Sequence, residues 1–396
     1  MSNTGYFHYW MRTQVHSGAG ALVRVPALMQ QLGGRRVLLV TGAGVRRAGL
    51  VERLEAVFAA NRGGGQPALV GVVEADAAAE SVNHATAVAR SLQVDAIVAL
   101  GGGRVLDAAK AIKYALGHGL ADIQDVLLGG IRLETSPPAQ PLGIAHIAVP
   151  TLAGSGAEAS NAAAIRCERL GGYRALLVAP YLDADIAVLD AQLTAEVPVA
   201  LAVAGGLHAL AQALEVIASP ASNAFSDASA FAAIDLIRRW LPLLSREPGN
   251  AEARAALLQA SMLAGQARAG VLGAMPVHGC ASALGLFHDI PFGQLKGALL
   301  PVALDVLRDY YRPAASRLAR AFAITDAGCS SDERLQQVIA LLQALLDETG
   351  MPRAIPEVAQ AEMQWIVQAV GADPAAMFLR LTPEQVGLMV ARLAGA

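Results

Sequence analysis

The sequence has few cysteines and little charge. Its three cysteines (Cys167, Cys280 and Cys329) are too far apart for a disulfide framework or a metal knuckle, which predicts a reduced, cytoplasmic setting. Only 16% of the 396 residues are charged and the net charge is −3, so we expect neither nucleic acid nor an anionic membrane as a partner. The hydrophobic fraction of 54% predicts a compact globular protein.

The sequence also lacks a convincing membrane-spanning run. Met1–Gln14 has no apolar core, so it does not read as a signal peptide. Ala269–His288 carries no formal charge, but glycine, proline, histidine and serine dilute its hydrophobicity throughout. A buried helix or helix pair is the better interpretation of that stretch.

The first half alternates short apolar runs with segments of helical period. The pattern predicts strands at 36–40, 68–73, 95–100 and 144–149, with helices at 48–60, 77–92 and 105–116. This order of strand, helix and strand predicts a parallel sheet covered on both faces.

From about Leu193 onward, segments of helical period dominate and no run reads as a strand. The predicted helices cover 197–218, 224–244, 250–269, 312–323, 331–349 and 361–370. We therefore expect an α/β dinucleotide-binding domain over residues 1–190 and an all-helical domain over residues 191–396.

Two glycine-containing loops follow predicted strands. Gly101, Gly102 and Gly103 separate a buried strand from a helix, where glycine lets the backbone approach a pyrophosphate and the helix N-terminus offers free N–H groups. A bare triple glycine is usually an ordinary turn, and its position between strand and helix favours a phosphate site. The second loop offers the hydroxyls of Thr151 and Ser155, although it also reads as a surface loop.

These loops carry a resemblance to a known family. Residues 101–110 (GGGRVLDAAK) and 150–158 (PTLAGSGAE) are similar to the GGGSxxDxAK and PTTAGTGSE motifs of the iron-containing alcohol dehydrogenases. That superfamily also holds maleylacetate reductases, glycerol dehydrogenases and dehydroquinate synthases. The resemblance runs from about residue 15 to 305. It implies a nucleotide domain followed by a helical domain with the active site in the cleft between them, a homodimer, and Asp107 and Arg174 near the cofactor.

The resemblance also bears on the choice of cofactor. Many members carry an aspartate after the first strand that binds the adenosine ribose and favours NAD, and Gly42 stands at that position here. Without the carboxylate there is room for a 2′-phosphate, and Arg46 or Arg47 would supply positive charge. We therefore favour NADP(H) over NAD(H). The two arginines also read as the solvated start of a helix.

The family's metal site is altered in this sequence. The resemblance implies an Asp and a His four residues apart and then two His residues, and these positions hold His208, Gln212, His278 and Phe292. Without a carboxylate, and with an aromatic ring at one position, we expect the metal to be absent. The histidines also read as hydrogen-bonded core residues.

The leading hypothesis is a metal-independent, NADP(H)-dependent oxidoreductase. Hydride would pass to a carbonyl or to a polarised C=C or C=N bond, with His208 and His278 as proton donors or electrophiles and His288 as a lesser candidate. Two alternatives stay open: a metal-dependent alcohol dehydrogenase with a His208, Gln212 and His278 ligand set, and a catalytically silent NADP-binding pseudoenzyme.

Overall fold

The computed structural model describes residues 7, 9–61, 65–134, 140–271, 273, 275–325 and 328–395. The chain divides into two compact units. The α/β unit comprises Met11–Leu152 and Gly156–Glu196, and the helical unit comprises Met1–Trp10, Ala153–Ser155 and Val197–Ala396.

A six-stranded parallel sheet forms the centre of the α/β unit, in the order β1-β9-β6-β4-β2-β3. Its strands are β1 (Gln14–Ser17), β2 (Arg36–Thr41), β3 (Ala68–Glu74), β4 (Ala96–Gly101), β6 (Ala145–Pro150) and β9 (Ile186–Leu189). The strands predicted from the short apolar runs are β2, β3, β4 and β6, and the predicted parallel sheet is confirmed.

Helices cover both faces of this sheet. They are α1 (Val25–Gln31), α2 (Ala43–Arg47), α3 (Leu50–Ala60), α4 (Ala79–Ser91) and α5 (Gly103–Gly117). Side chains alternate along β2, so that Leu38 and Val40 join the core packed by α4 and α5, whereas Val37 and Leu39 join the core packed by α1 and α3. Burial on both faces explains why these strands read as continuous apolar runs.

A second, three-stranded sheet in the α/β unit was not predicted. It has the order β5-β8-β7 and consists of β5 (Ile131–Leu133), β7 (Ala162–Arg166) and β8 (Arg174–Val178). β7 begins with three alanines, a residue with low β propensity, so its strand character depends on its antiparallel pairing with β8.

The helical unit contains no strand among its described residues, as the sequence predicts. Its helices are α6 (Val199–Ala218), α7 (Ala224–Arg246), α8 (Ala251–Ala269), α9 (Pro276–Leu284), α10 (Phe292–Val306), α11 (Arg308–Tyr311), α12 (Ala315–Ala321), α13 (Ser331–Glu348), α14 (Gln360–Ala372) and α15 (Pro383–Leu393). The helix predicted at 312–323 is instead a 3₁₀ turn followed by α12.

Two apolar stretches of this unit invite a membrane interpretation. α6 is long and apolar enough to cross a membrane, yet 83% of its most apolar window is buried within the structure, as in a core helix. The uncharged stretch 269–288 contains the end of α8 and all of α9, while Leu272 and Ala274 lie outside the described residues.

Candidate cofactor site and candidate catalytic cluster

The glycine loop lies where the sequence places it, between β4 and α5. The strand ends at Gly101 and the 15-residue helix begins at Gly103. A Cβ on Gly101 would lie 2.7 Å from Val105, so the turn requires glycine there. Gly102 has open space around it, the nearest atom to its virtual Cβ being Leu152 Cβ at 4.0 Å. The first N–H groups of α5 therefore lie at a turn whose backbone a phosphate can approach closely.

Thr151 and Gly42 adjoin this loop within the α/β unit. β6 and β2 flank β4, and the Thr151 N–H donates to the Gly101 carbonyl at 3.1 Å. Gly42 precedes α2, and its virtual Cβ lies 3.2 Å from Val105 in the first turn of α5. The structure thus brings together five of the predicted cofactor residues, Gly42, Gly101, Gly102, Gly103 and Thr151, at the carboxyl ends of neighbouring strands.

The two arginines after Gly42 differ in their surroundings. Arg46 Nε donates to Glu74 Oε1 at 2.6 Å, and both side chains are half-exposed, whereas Arg47 is exposed. Glu74 ends β3, directly beside Thr41 of β2. The sequence reasoning missed this carboxylate, because the pairing of β2 with β3 is what brings it next to Arg46.

Asp107 is part of a buried polar network. Lys110 Nζ lies 2.8 Å from Asp107 Oδ1 and donates to the Ala157 carbonyl at 3.0 Å. Asp107 also accepts from the Ala164 N–H at 3.2 Å. These contacts tie α5 to the segment after the second loop, and the role of Asp107 toward a cofactor stays a prediction.

Glu158 lies in the same network and was not singled out from the sequence. It is 2% exposed, and Oε1 of its carboxyl group has no hydrogen-bond partner among the described residues. Burial raises the pKa of Glu158 to about 7, although Lys110 opposes the shift.

Arg174 lies in a different sheet from β4, the strand that precedes the glycine loop. It begins β8 in the three-stranded sheet, pairs in register with Arg166 of β7, and is exposed. Its predicted role near the cofactor stays a prediction.

Two helices of the helical unit present a polar face. On α6, His208, Gln212 and Glu215 share one face because they are four and three residues apart. On α10, Phe292 and Lys296 share one face because they are four residues apart.

The Phe292 ring contacts both candidate catalytic histidines edge-on. Its centroid lies 5.1 Å from that of His208 and 5.3 Å from that of His278, which lies in the first turn of α9. One aromatic ring is therefore shared by the two imidazoles that the sequence singles out.

Glycines fix the position of α10 against α6. A Cβ on Gly293 would lie 1.8 Å from the Ala204 carbonyl oxygen, and one on Gly297 would lie 2.8 Å from Leu207. Only hydrogen at Gly293 lets the two backbones come so close, and Gly297 leaves room for the Leu207 side chain, so the helix that carries Phe292 is held closely against α6.

Part of the second loop belongs to the helical unit. Gly154 N–H donates to Ser261 Oγ at 2.7 Å, and Gln212 Nε2 donates to the Ser155 carbonyl at 3.3 Å. A Cβ on Gly154 would lie 3.2 Å from Gly205 Cα, so this segment packs against α6. Ser155 therefore belongs with Gln212 in the helical unit, whereas Thr151 belongs to the α/β unit.

A buried ion pair lies one turn along the same helix faces. Lys296 Nζ is 3.5 Å from Glu215 Oε2, and neither side chain is exposed. Burial lowers the pKa of Lys296 to about 8, and burial also raises the pKa of the Glu215 carboxyl group. The sequence reasoning missed the pair. The available signal was one charged residue within an otherwise apolar run of each helix.

The four positions of the family's metal site, His208, Gln212, His278 and Phe292, include no carboxylate. Among the described residues, no group of three or more His, Cys, Asp or Glu side chains could hold an ion. The Phe292 ring has no lone pair to donate, and Gln212 donates its amide N–H to the Ser155 carbonyl, whereas its Oε1 has no hydrogen-bond partner among the described residues.

The structure places His288 beside α14. Its Nε2 is 4.0 Å from Glu362 Oε2 of α14, and its side chain is mostly buried. The structure thus associates His288 with α14, and its lesser catalytic role stays a prediction.

Dinucleotide-dependent oxidoreductases typically contain a parallel sheet with a glycine loop at the start of a helix. In this chain, such a sheet is followed by a helical unit with a polar cluster. The iron-containing alcohol dehydrogenase family model matches residues 12–191, and the model for the C-terminal part of that family matches residues 202–385. The chain belongs to the iron-containing alcohol dehydrogenase family and is an oxidoreductase of the alcohol dehydrogenase type.

Individual relatives agree with this assignment. Long-chain-alcohol dehydrogenase 1 of Geobacillus thermodenitrificans is 29% identical over 86% of this chain and 83% of its own length. The crystal structure of a 1,3-propanediol oxidoreductase superposes with a TM-score of 0.86 at 26% identity, covering 98% of this chain and all of that one. A sulfoacetaldehyde reductase from Bifidobacterium kashiwanohense, solved with NAD⁺, shares the fold (TM-score 0.78, 21% identity, 99% of this chain and 100% of that one).

Proposed function

We propose that this protein is an NADP(H)-dependent reductase that transfers hydride without a metal ion. Its substrate carries a carbonyl group or a polarised C=C or C=N bond. His208 and His278 donate a proton or a hydrogen bond to the atom on which negative charge develops. The observation that carries the proposal is the contact of both imidazoles with the ring of Phe292.

Metal independence is supported by the donor set of this cluster. A catalytic metal polarises the substrate oxygen and needs three or four N, O or S donors of its own. Here the fourth position is a phenyl ring, and Gln212 donates its amide N–H to a backbone carbonyl. An imidazole can supply hydrogen-bond donation to the same oxygen at neutral pH, because its unperturbed pKa is about 6.5.

The preference for NADP(H) is supported by the turn after β2. Gly42 brings no carboxylate to repel a 2′-phosphate, and Arg46 and Arg47 follow it directly. Glu74 engages Arg46, so Arg47 is the more readily recruited guanidinium. The relative solved with NAD⁺ is only 21% identical and bears on the fold alone.

The test combines metal analysis with activity. We expect the purified protein to contain less than about 0.1 equivalent of iron or zinc, because the cluster lacks a complete donor set. It should oxidise NADPH with at least one member of a panel of aldehydes, ketones and enoates, unaffected by a chelator. His278→Asn and His208→Asn should each lower kcat by about 100-fold, the usual size of a lost general acid. His84→Asn, at an exposed position of α4, is the control.

Phe292→His provides the positive control for metal binding. It adds a third imidazole beside His208 and His278 and should bind Zn²⁺. Stoichiometric metal in the unaltered protein, with activity abolished by a chelator, would establish the metal-dependent alternative. NADPH binding without turnover across the panel would establish the silent pseudoenzyme.

A further inference from the structure

The first turn of α9 carries His278 and depends on another helix for its hydrogen bonds. Pro276 occupies the first helical position and has no N–H, so Val277 and His278 supply the next backbone donors. Both donate to Glu215 Oε1, at 2.9 Å and 3.2 Å respectively. A carboxylate from α6 therefore caps α9 at the residue proposed to be catalytic.

The cap has a fixed charge partner. Lys296 Nζ lies 3.5 Å from the other Glu215 oxygen, and it lies 5.7 Å from the centroid of the Phe292 ring. The latter distance is within the range of a cation–π contact. No hydrogen bond to Lys296 Nζ or to Glu215 Oε2 is present among the described residues.

The Glu215 and Lys296 side chains are fully buried, so the free energy of removing both charges from water must be offset by their mutual attraction. Exchanging a buried ion pair for apolar residues is often neutral for stability, whereas removing one partner leaves an uncompensated charge. The pair is thus an unusual choice for packing alone. It joins α6, α9 and α10, the helices that carry His208, His278 and Phe292.

We propose that Glu215 and Lys296 are a positioning pair for the reaction. Glu215 holds the backbone of His278, and Lys296 keeps Glu215 ionised and in place while contacting the ring between the two imidazoles. This inference rests on the proposed function of His278, but its structural part can be tested without turnover.

The experiment separates the charge of the pair from the hydrogen-bond acceptor of Glu215. Lys296→Met alone should destabilise the protein and lower kcat by about 30-fold or more, because it leaves the Glu215 carboxylate uncompensated. Adding Glu215→Gln removes that charge and keeps an amide oxygen for the two N–H groups, so kcat should recover to within about threefold. Adding Glu215→Met instead also removes the charge but offers no acceptor. It should restore stability without restoring kcat.

The readout besides activity is hydrogen exchange, measured by mass spectrometry on peptides that cover α9. The first turn should exchange at the unaltered rate in the Lys296→Met, Glu215→Gln protein, and about tenfold faster in the Lys296→Met, Glu215→Met protein. The KM for NADPH should not change in either. This exchange result supports the positioning role even if no substrate is ever turned over.

Two results would overturn the proposal. One is the same exchange rate and the same kcat in the two double variants, since the acceptor would then be irrelevant. The other is loss of both protection and kcat in the Lys296→Met, Glu215→Gln protein, because the acceptor is kept there and no charge is left unpaired. This result also decides the matter if the double methionine variant does not fold.

Discussion

The two units of this protein differ in the contacts that hold their candidate functional residues. In the α/β unit, the glycine loop is required by contacts such as that of Gly101 with Val105, and Lys110 is bound by backbone carbonyls. In the helical unit, Phe292 stands where the family's pattern has a ligand, and a buried ion pair lies behind it. The comparison indicates that main-chain geometry requires the glycine loop, whereas a cluster built from side chains can differ within the same fold.

Disturbing the main-chain contact between α10 and α6 in the helical unit should destabilise the protein most. Gly293→Ala places a methyl group against the Ala204 carbonyl oxygen, which cannot move away as a flexible side chain can. We expect a loss of about 3 kcal/mol or more in the free energy of unfolding, measured by urea titration. Gly387→Ala, a helical position with open space, should instead be neutral or stabilise by about 0.5–1 kcal/mol. Equal effects would show that the close approach of α6 and α10 is not rigid.

The buried carboxyl group of the α/β unit should make stability depend on pH. Burial raises the pKa of Glu158 to about 7 in the native state, against about 4.3 in the unfolded chain. The native state therefore holds a proton that the unfolded chain releases, and this stabilisation is complete below the unfolded pKa and is lost as the pH rises through 7.

Glu158→Gln imitates the protonated group and should remove this dependence. As the pH rises from 5 to 8, the unfolding free energy of the unaltered protein should fall by on the order of 2 kcal/mol relative to that of the Glu158→Gln variant. Thermal unfolding at the two pH values measures this, with Glu55→Gln at an exposed position of α3 as the control. A parallel response of all three proteins would mean that Glu158 is ionised in the native state.

The glycine loop can be tested without disturbing the fold. Gly102→Ala has room for its methyl group, so Tm should not change. The methyl would nevertheless occupy the space at the start of α5 where a phosphate approaches, and the Kd for NADPH should rise about tenfold. Titration of NADPH fluorescence measures this, and Gly249→Ala, also in open space, is the control. Unchanged affinity would remove Gly102 from the cofactor site.

The smallest expected effect concerns the choice of cofactor. Glu74→Gln frees Arg46 from its ion pair, so the ratio of NADPH to NADH affinity should rise about threefold, in keeping with an exposed pair. Glu168→Gln is the matched control, since Glu168 is another half-exposed partner of an arginine, Arg166. A fall in NADH affinity without a gain for NADPH would instead assign Glu74 to the ribose hydroxyls.

The sequence predicts features that depend on local pattern or on motif position. β2 and β4 are short, apolar and followed by glycine, and their strands and parallel pairing are confirmed. β7 is alanine-rich and was missed, because only its partner strand makes it extended. In the cluster, His208, His278 and Phe292 were identified by family position, but Glu215 and Lys296 were not. Their interaction exists only because α6 and α10 pack together, which no local pattern of either helix encodes.

The ring of Phe292 also has a genetic consequence. Phe292→His would gather three imidazoles at one point, a set that suits zinc. The codons for phenylalanine and histidine differ at two of their bases, so no single-base mutation converts one into the other. An exchange by single-base steps must therefore pass through leucine or tyrosine at this position. Of these two residues, tyrosine keeps the aromatic ring beside His208 and His278, whereas leucine does not.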